Sequence, residues 1–446
     1  SVTNQSAKFQ SLGWHVQEID GHDENQIINA VKHAQDNTSK PSLIIAKSTI
    51  GKHSPNKQNT SGVHGSPLGS DEMEQFLENL DWTSDAFDHS QEIYDYFNEK
   101  RDMDNDKHDE WVSLLEEKIK TNDDFATLWN EFNNKKIEFS HSQKYDRKAT
   151  RVTGSEVLKS IGESNRFILG GSADLAASTK QIISNSIYSH QNRSGQSIEF
   201  GIREHAMAAV VNGITLHSNL ISYGSTFLVF SDYMRPSIRL ASLMNLNSVY
   251  IFTHDSIYLG EDGPTHQPVE HLMSLRLIPG VDVIRPANSI EVQYAYQYIF
   301  TKSNNPKSLV LTRQSLDYVE TKLSYKNFQE GAYELIKGDD ITIFASGSEV
   351  SLAIEVSKKL KNKSVQIIST PILNQVNTDT LTNLKINEFV FTLELGRSVG
   401  WQDYIGKVTE SFSIETFGKS APQEDLTNYF EFSAEKIAEK ILQHIS

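Results

Sequence analysis

The thirteen residues "LGEDGPTHQPVEH", 259 to 271, hold two adjacent acids, a Gly-Pro turn and two histidines. They follow the apolar run "SVYIFTHDS", which itself ends on His254 and Asp255. So many titratable groups just past a strand-like run suit either a solvated loop or the wall of an active site. In open parallel sheets, ligands gather beyond the carboxyl ends of the strands. Asp174 after "FILGGSA", His254 after "VYIFT" and Arg313 after "LVLT" fall at such ends, as does the opening motif. Any one of them alone is usually an ordinary polar cap. Four at one edge sketch a pocket with cations for a phosphate and carboxylates for hydroxyls.

Two other stretches carry a different chemistry. Glu204 in "FGIREHAM" stands where a helix begins, a place the helix dipole favours for any acid, including a merely solvated one. Phe227, Phe230 and Tyr233 in "STFLVFSDYMR" recur at helical spacing. Such a stripe is usually core; its alternative use is an aromatic wall against a flat heterocycle.

The elements that must position these groups are readable from periodicity. From about 150 to 320, β-rich runs ("RFILGG", "LISYG", "SVYIFTHD", "VDVIRP", "SLVLTRQ") alternate with helical stretches such as "EHAMAAVVNGITLHS". That alternation predicts a parallel sheet with helices on both faces. A second α/β set starts near 325, with "DITIFASGS", "SVQIIST", "EFVFTLELG", "SFSIETFG" and the terminal helix "SAEKIAEKILQHI". Residues 1 to about 70 read as the tail of another α/β unit. There Asp23 and Gln26 form a capping box for a helix, and a strand "PSLIIAKS" leads into a long loop. Between 70 and 145 the acid-rich segments "DEMEQFLENLDW" and "HDEWVSLLEEKIKTNDDFATLWNEFNN" predict surface helices forming a connector. The fold class is therefore α/β, with three-layer, parallel-sheet domains.

Bulk properties narrow the function. A length of 446 residues leaves room for two to four domains. A formal net charge of −16 disfavours nucleic acid as a partner, so an anionic ligand must be held by local cations. The absence of cysteine excludes disulfides and thiolate metal sites. No apolar stretch reaches the roughly 18 residues of a bilayer span, and the first residues lack a signal-peptide pattern. A cytoplasmic protein is expected.

The motifs "GGSADLAAS", "EFGIREHAM", "STFLVFSDYMR", "THDSIYLGEDGPTHQPVEHLMSLR" and "LTRQSL" resemble consecutive motifs of the transketolase family, in its order. "SLGWHV", "DGHD", "TIGKHSPNK" and "SGVHGSPLG" resemble its upstream segments, and "ELGRSVGW" and "TFGKSAP" its third domain. The resemblance implies a thiamine diphosphate-binding fold plus a transketolase C-terminal domain. It implies a homodimer with active sites at the interface, sugar phosphate substrates, and thiamine diphosphate with Mg2+ as cofactors. The reaction implied is reversible transfer of a two-carbon ketol unit from ketose to aldose phosphates, in the pentose phosphate pathway.

By the same resemblance Glu204 and His266 are the catalytic residues, Glu204 facing the cofactor's pyrimidine nitrogen. Phe230 stacks on the pyrimidine with Phe227 and Tyr233 beside it, and Asp174 also contacts the cofactor. Arg151, Ser178, His254 and Arg313 match the phosphate-binding set, a chemistry apt for a dianion. Asp262 and His266 match groups that read substrate hydroxyls and the reacting oxygen. The implied domains are 1–70 as the end of the diphosphate-binding domain, 71–145 as connector, 146–322 as pyrimidine-binding domain and 323–446 as C-terminal domain.

Two departures accompany the resemblance. Ser61 stands where many relatives have a histidine three residues before the position of His64. No Gly-Asp-Gly occurs in the chain, so no metal ligand is assigned, and the expectation is a chain lacking most of the diphosphate-binding domain and deficient in cofactor. The alternatives are dihydroxyacetone synthase or another thiamine-dependent transferase, and a non-catalytic relative. A metal hydrolase built on His254, Asp255, Asp262, His266 and His271 is the rival from a different class.

Overall fold

The computed structural model describes residues 2–445 except 135, 136, 138, 140–146, 303, 318 and 320–322. The expected boundaries at 145/146 and 322/323 fall at residues outside that set. The chain divides into two compact units, Ser1–Glu117 and Lys118–Ser446.

The first unit contains α1 (Gln5–Ser11), β1 (His15–Asp20), α2 (Glu24–Asp36), β2 (Ser42–Lys47), α3 (Ser70–Asn79) and most of α4 (Gln91–Thr121). Strands β1 and β2 pair in parallel from His15↔Ser42 to Asp20↔Lys47, with α2 as the crossover. Asp23 caps α2 as expected, accepting from the amides of Asn25 and Gln26. The Gln26 side chain does not close the box on Asp23's own amide; it accepts from Asp20 N at 2.9 Å instead. Helix α4 starts at Gln91, well before the expected segment, because "QEIYDYFNEKRDM" carries no breaker. It ends before Asn122, whose side chain caps α5 (Asp123–Asn134) by accepting from Phe125 N at 2.9 Å.

Among the described residues the second unit holds two large sheets and one two-stranded pair. The segment to residue 316 runs β3 (Lys148–Ala149), α6 (Thr150–Ser164), β4 (Ile168–Ser172), α7 (Ala176–Thr179), β5 (Ser197–Glu199), α8 (Glu204–His217) and β6 (Ile221–Phe227). It continues through α9 (Ser231–Leu243), β7 (Val249–Thr253), α10 (His271–Arg276), β8 (Asp282–Ile284), α11 (Ser289–Thr301), β9 (Lys307–Leu311) and β10 (Ser315–Leu316). Six strands form one sheet in the order β5-β4-β6-β7-β9-β8, every pairing parallel. Every residue of β6, β7 and β9 is buried, as expected for strands covered on both faces. The short antiparallel pair β3–β10 ties the start of α6 to the end of β9.

The rest comprises α12 (Tyr325–Gln329), β11 (Tyr333–Ile336), β12 (Ile341–Ala345), α13 (Glu349–Lys359), β13 (Val365–Ser369) and α14 (Thr378–Leu384). It ends with β14 (Phe389–Leu393), α15 (Trp401–Ile405), β15 (Glu410–Phe412), α16 (Gln423–Tyr429) and α17 (Ala434–Ile445). The strand order is β11-β13-β12-β14-β15, with only β11 antiparallel. Helices α13 and α17 close a core of Ile341, Ile343, Ile367, Phe391 and Ile437. Among the described residues no helix is long and apolar enough to cross a membrane.

Candidate active site

Strand order reverses between β4 and β6: the chain leaves β4 for β5 on one side and returns to β6 on the other. The carboxyl ends on either side of such a reversal border a crevice. Asp174 lies beyond β4, Glu204 opens α8 after β5, Phe227 ends β6, His254 follows β7 and Arg313 follows β9. Parallel pairing puts all five at one edge.

His254 is the best-defined member. It is 4% exposed, its Nδ1 lies 2.8 Å from Thr253 Oγ1, and its ring centroid is 3.8 Å from that of Phe227. Burial, then the charges of Arg151 and Arg313, and then His266, push its pKa down to about 3. The imidazole is therefore neutral and close to two guanidiniums. Arg151, in the first turn of α6, donates through Nη1 to Ser178 O, and burial followed by Arg313 lowers its own pKa. Thr150 fixes that turn: its amide donates to Thr312 Oγ1 at 3.0 Å, next to Arg313. Among the described residues Arg151 Nε is buried with no hydrogen-bond partner. A free, buried N–H on one guanidinium, near a second guanidinium and a neutral imidazole, suits an incoming anion, since an unsatisfied donor is otherwise costly.

Phe227, Phe230 and Tyr233 form a ladder, with centroids 5.8 Å and 5.9 Å apart and planes inclined by 12° and 24°. They do not sit on one helix, as their spacing suggested. Phe227 ends a strand, Phe230 lies in the tight turn Leu228–Phe230, and Tyr233 is in α9. The outer ring, Tyr233, is 62% exposed. His266 meets the ladder edge-on, 5.6 Å from Phe230 and 6.4 Å from Phe227.

The other expected residues occupy separate places on the edge. Asp174 and His254 both have left-handed backbones, φ 59° and 60°, which few non-glycine residues adopt. Asp174 lines a cavity of about 440 Å³ with Gly171, Glu199 and Arg203. Glu204 is half-buried at the first position of α8, and Asp262 is exposed in the loop after β7. Ser178 meets Arg151 through its carbonyl.

The five residues of the metal-hydrolase alternative are not assembled. Asp255 is buried and paired with Arg285, and His271 Nε2 is 3.1 Å from Asp232 Oδ2. Among the described residues, the group that could hold a cation is Asp232, Glu270 and His271, which shares only His271 with that set.

In the first unit, Glu72 of α3 organises the loop that carries His53, a contact that nothing in the sequence announced. Its carboxylate accepts from Ser54 Oγ, from Asn56 N at 2.9 Å and Nδ2 at 3.0 Å, and from Lys57 N at 3.2 Å. Those hydrogen bonds, Ser54's foremost, hold its pKa down to about 2. Ser61 starts a single 3-10 turn, Ser61–Val63, that ends on exposed His64.

Three family profiles match the chain. "Transketolase, thiamine diphosphate binding domain" matches residues 1–137, "Transketolase, pyrimidine binding domain" 146–318, and "Transketolase-like TK C-terminal domain" 331–433. A transketolase of Staphylococcus aureus is 36% identical over 98% of this chain and 70% of its own length. Among solved structures, transketolase from Leishmania mexicana superposes with TM-score 0.91 at 29% identity, over 99% of this chain and 68% of that one. Pichia stipitis transketolase in complex with sedoheptulose-7-phosphate gives 0.91 at 30% identity, over 100% of this chain and 69% of that one. The match at residues 1–137 does not support the expectation that most of the thiamine diphosphate-binding domain is lacking. The missing Gly-Asp-Gly is a missing motif, and one motif is no measure of a domain. From its three matched domains and its likeness to named relatives over nearly its whole length, the chain belongs to the transketolase family.

Proposed function

We propose that the protein transfers a two-carbon ketol unit reversibly from ketose phosphates to aldose phosphates, as a transketolase of the pentose phosphate pathway. The observation that carries this reading is the neutral, buried His254, under the charges of Arg151 and Arg313 and packed against the Phe227 ring. A phosphate dianion supplies the charge those guanidiniums lack, and Arg151 Nε gains the acceptor it is missing. Ser178 completes the phosphate set. Asp262 and His266, in the loop after β7, bind the sugar hydroxyls and the reacting oxygen.

The ladder of Phe227, Phe230 and Tyr233 fits a flat heterocycle, because its outer ring is open to one. The residues assigned to thiamine diphosphate are these three, Glu204 and Asp174. When bound, that cofactor would supply a carbon acid whose deprotonated carbon could add to a ketose carbonyl. Glu204, at the first position of α8, would hydrogen-bond the pyrimidine nitrogen and share a proton with it. His266, at the edge of the ladder, orients and exchanges a proton with the substrate oxygen. Mg2+ is proposed with the diphosphate, and no ligand for it is assigned in this chain.

A homodimer with shared active sites is proposed on the exposed apolar residues of α8 and α9, Val210, Leu216, Tyr233, Leu240 and Leu243. A cytoplasmic location and domain limits of 1–70, 71–145, 146–322 and 323–446 complete the reading. The test is ketol transfer from a ketose phosphate to an aldose phosphate, with thiamine diphosphate and Mg2+ added. Cofactor-dependent product supports it; turnover no faster than a Glu204→Gln control refutes it.

A further inference from the structure

We propose that the C-terminal sheet and its loops are the template that aims the substrate-reading loop, residues 254–271, with Arg285, Gln267 and Ser420 as positioning residues. The proposal rests on the functional reading above. No residue after Arg313 is among the assigned site residues. Yet the loop is fastened to that part of the chain at its start, its middle and its end.

At the start, Asp255 Oδ2 accepts from Arg285 Nε at 3.0 Å and Nη2 at 2.7 Å. The same guanidinium donates to Ser346 O at 2.8 Å, beyond β12, and to Glu349 in α13. In the middle, Gln267 Nε2 donates to Lys419 O at 2.8 Å and to Ile257 O and Gly260 O, both at 3.0 Å. Ser420 Oγ donates to Glu261 O. At the end, Arg397 N donates to Val269 O at 3.0 Å, and Arg276 makes a two-pronged pair with Glu394 at 2.7 and 2.8 Å.

The anchors fall in a telling place. Asp255 is the chain neighbour of His254, Glu261 of Asp262 and Gln267 of His266. Each assigned substrate group within the loop therefore sits one peptide from a tie to the C-terminal elements, direct at Glu261 and Gln267 and through Arg285 at Asp255, and a tie one residue away fixes the Cα–Cβ direction that aims a side chain. The ties at either end of the loop are ion pairs with buried partners. Buried ion pairs add little net stability, but their geometry is exacting, which suits positioning. Gly418 is required by close approach: a Cβ there would come 1.8 Å from Gln267 Oε1.

The test uses Ser420→Ala, Ser420→Thr and Gly418→Ala, none of which alters an assigned site residue. Histidine imidazole NMR of each variant reads aim directly, with or without turnover. We expect the His266 signals to shift or broaden in Ser420→Ala and Gly418→Ala and to recover in Ser420→Thr. In the cofactor-loaded enzyme, KM for a ketose phosphate should rise about tenfold in Ser420→Ala, as for one lost hydrogen bond. Misplacement in Gly418→Ala should cost about 10²-fold in kcat/KM. Thiamine diphosphate affinity should stay at the wild-type value. Folded variants with wild-type His266 signals overturn the proposal whatever the activity, and a wild type without transfer activity overturns the functional reading instead. If Gly418→Ala fails to fold, Ser420→Ala and its threonine rescue decide the matter.

Discussion

The pKa of His254 makes the acid limb of stability a direct probe of the site. The ordinary histidine value of 6.5 falls to about 3 in the native state, through burial first and then Arg151, Arg313 and His266. Between those values the unfolded chain binds a proton that the native site refuses. Stability from this group is therefore complete above pH 6.5 and falls as pH drops toward 3. At pH 5 the loss is about 2 kcal/mol, and below pH 3 about 5 kcal/mol, at 1.36 kcal/mol per pH unit. Replacing the ring by His254→Asn removes that proton and should flatten the urea-unfolding free energy between pH 4.5 and 6.5. The difference in slope from wild type should approach about 1.4 kcal/mol per pH unit. Inorganic phosphate should reverse part of the shift, because an anion between the guanidiniums offsets two of its causes. Imidazole NMR titration with and without phosphate reads this directly. A native His254 titrating at or above pH 6, or equal pH slopes in the two proteins, would refute the reasoning.

Further outcomes follow from other residues. Glu204→Gln should leave the fold intact and lower ketol transfer by at least about 10²-fold in the cofactor-saturated enzyme; a loss of less than about tenfold removes Glu204 from its proposed role. Arg313→Ala should raise KM for a sugar phosphate but not for the free sugar, by the roughly 1.5–3 kcal/mol of one charge-assisted contact. Glu72→Ala should expose the amides of Asn56 and Lys57 to fast hydrogen exchange while β1 and β2 stay protected. Since the Glu72 pKa lies near 2, wild type should keep that protection above pH 4.5 and lose it as pH falls toward 2.

What was legible in the sequence follows how local each cause is. Strand β7 and helix α8 were readable because their periodicity is their own, and the site residues at strand ends followed from the parallel alternation. The aromatic trio was misplaced onto one helix because an i, i+3, i+6 spacing fits a helix, yet here it crosses a strand end, a turn and a helix start. The early start of α4 was missed because "IYDYF" alternates too little to declare itself before a clear helical face. Least legible were partnerships across long separations. Arg285 finds Asp255 30 residues back and Glu349 64 residues on, and neither distance leaves a mark in local composition. Glu72 is an acid in a first helical turn, where the dipole alone would account for it.

Under the proposed function, the left-handed backbones at Asp174 and His254 set stability and activity against each other over evolutionary time. Such a conformation costs a residue with a Cβ on the order of 1 kcal/mol, which glycine avoids. Random substitution at Asp174 therefore meets an easy stabilising exit that removes the side chain assigned to the cofactor, whereas at buried His254 the cavity left behind outweighs the relieved strain. Asp174 is the cleaner case because it is exposed and leaves no cavity behind. Selection for stability alone, in a library screened by heat with no assay for transfer, should enrich Asp174→Gly, whereas selection for activity should purge it. Asp174 would then drift early in a lineage that keeps the fold and abandons the reaction.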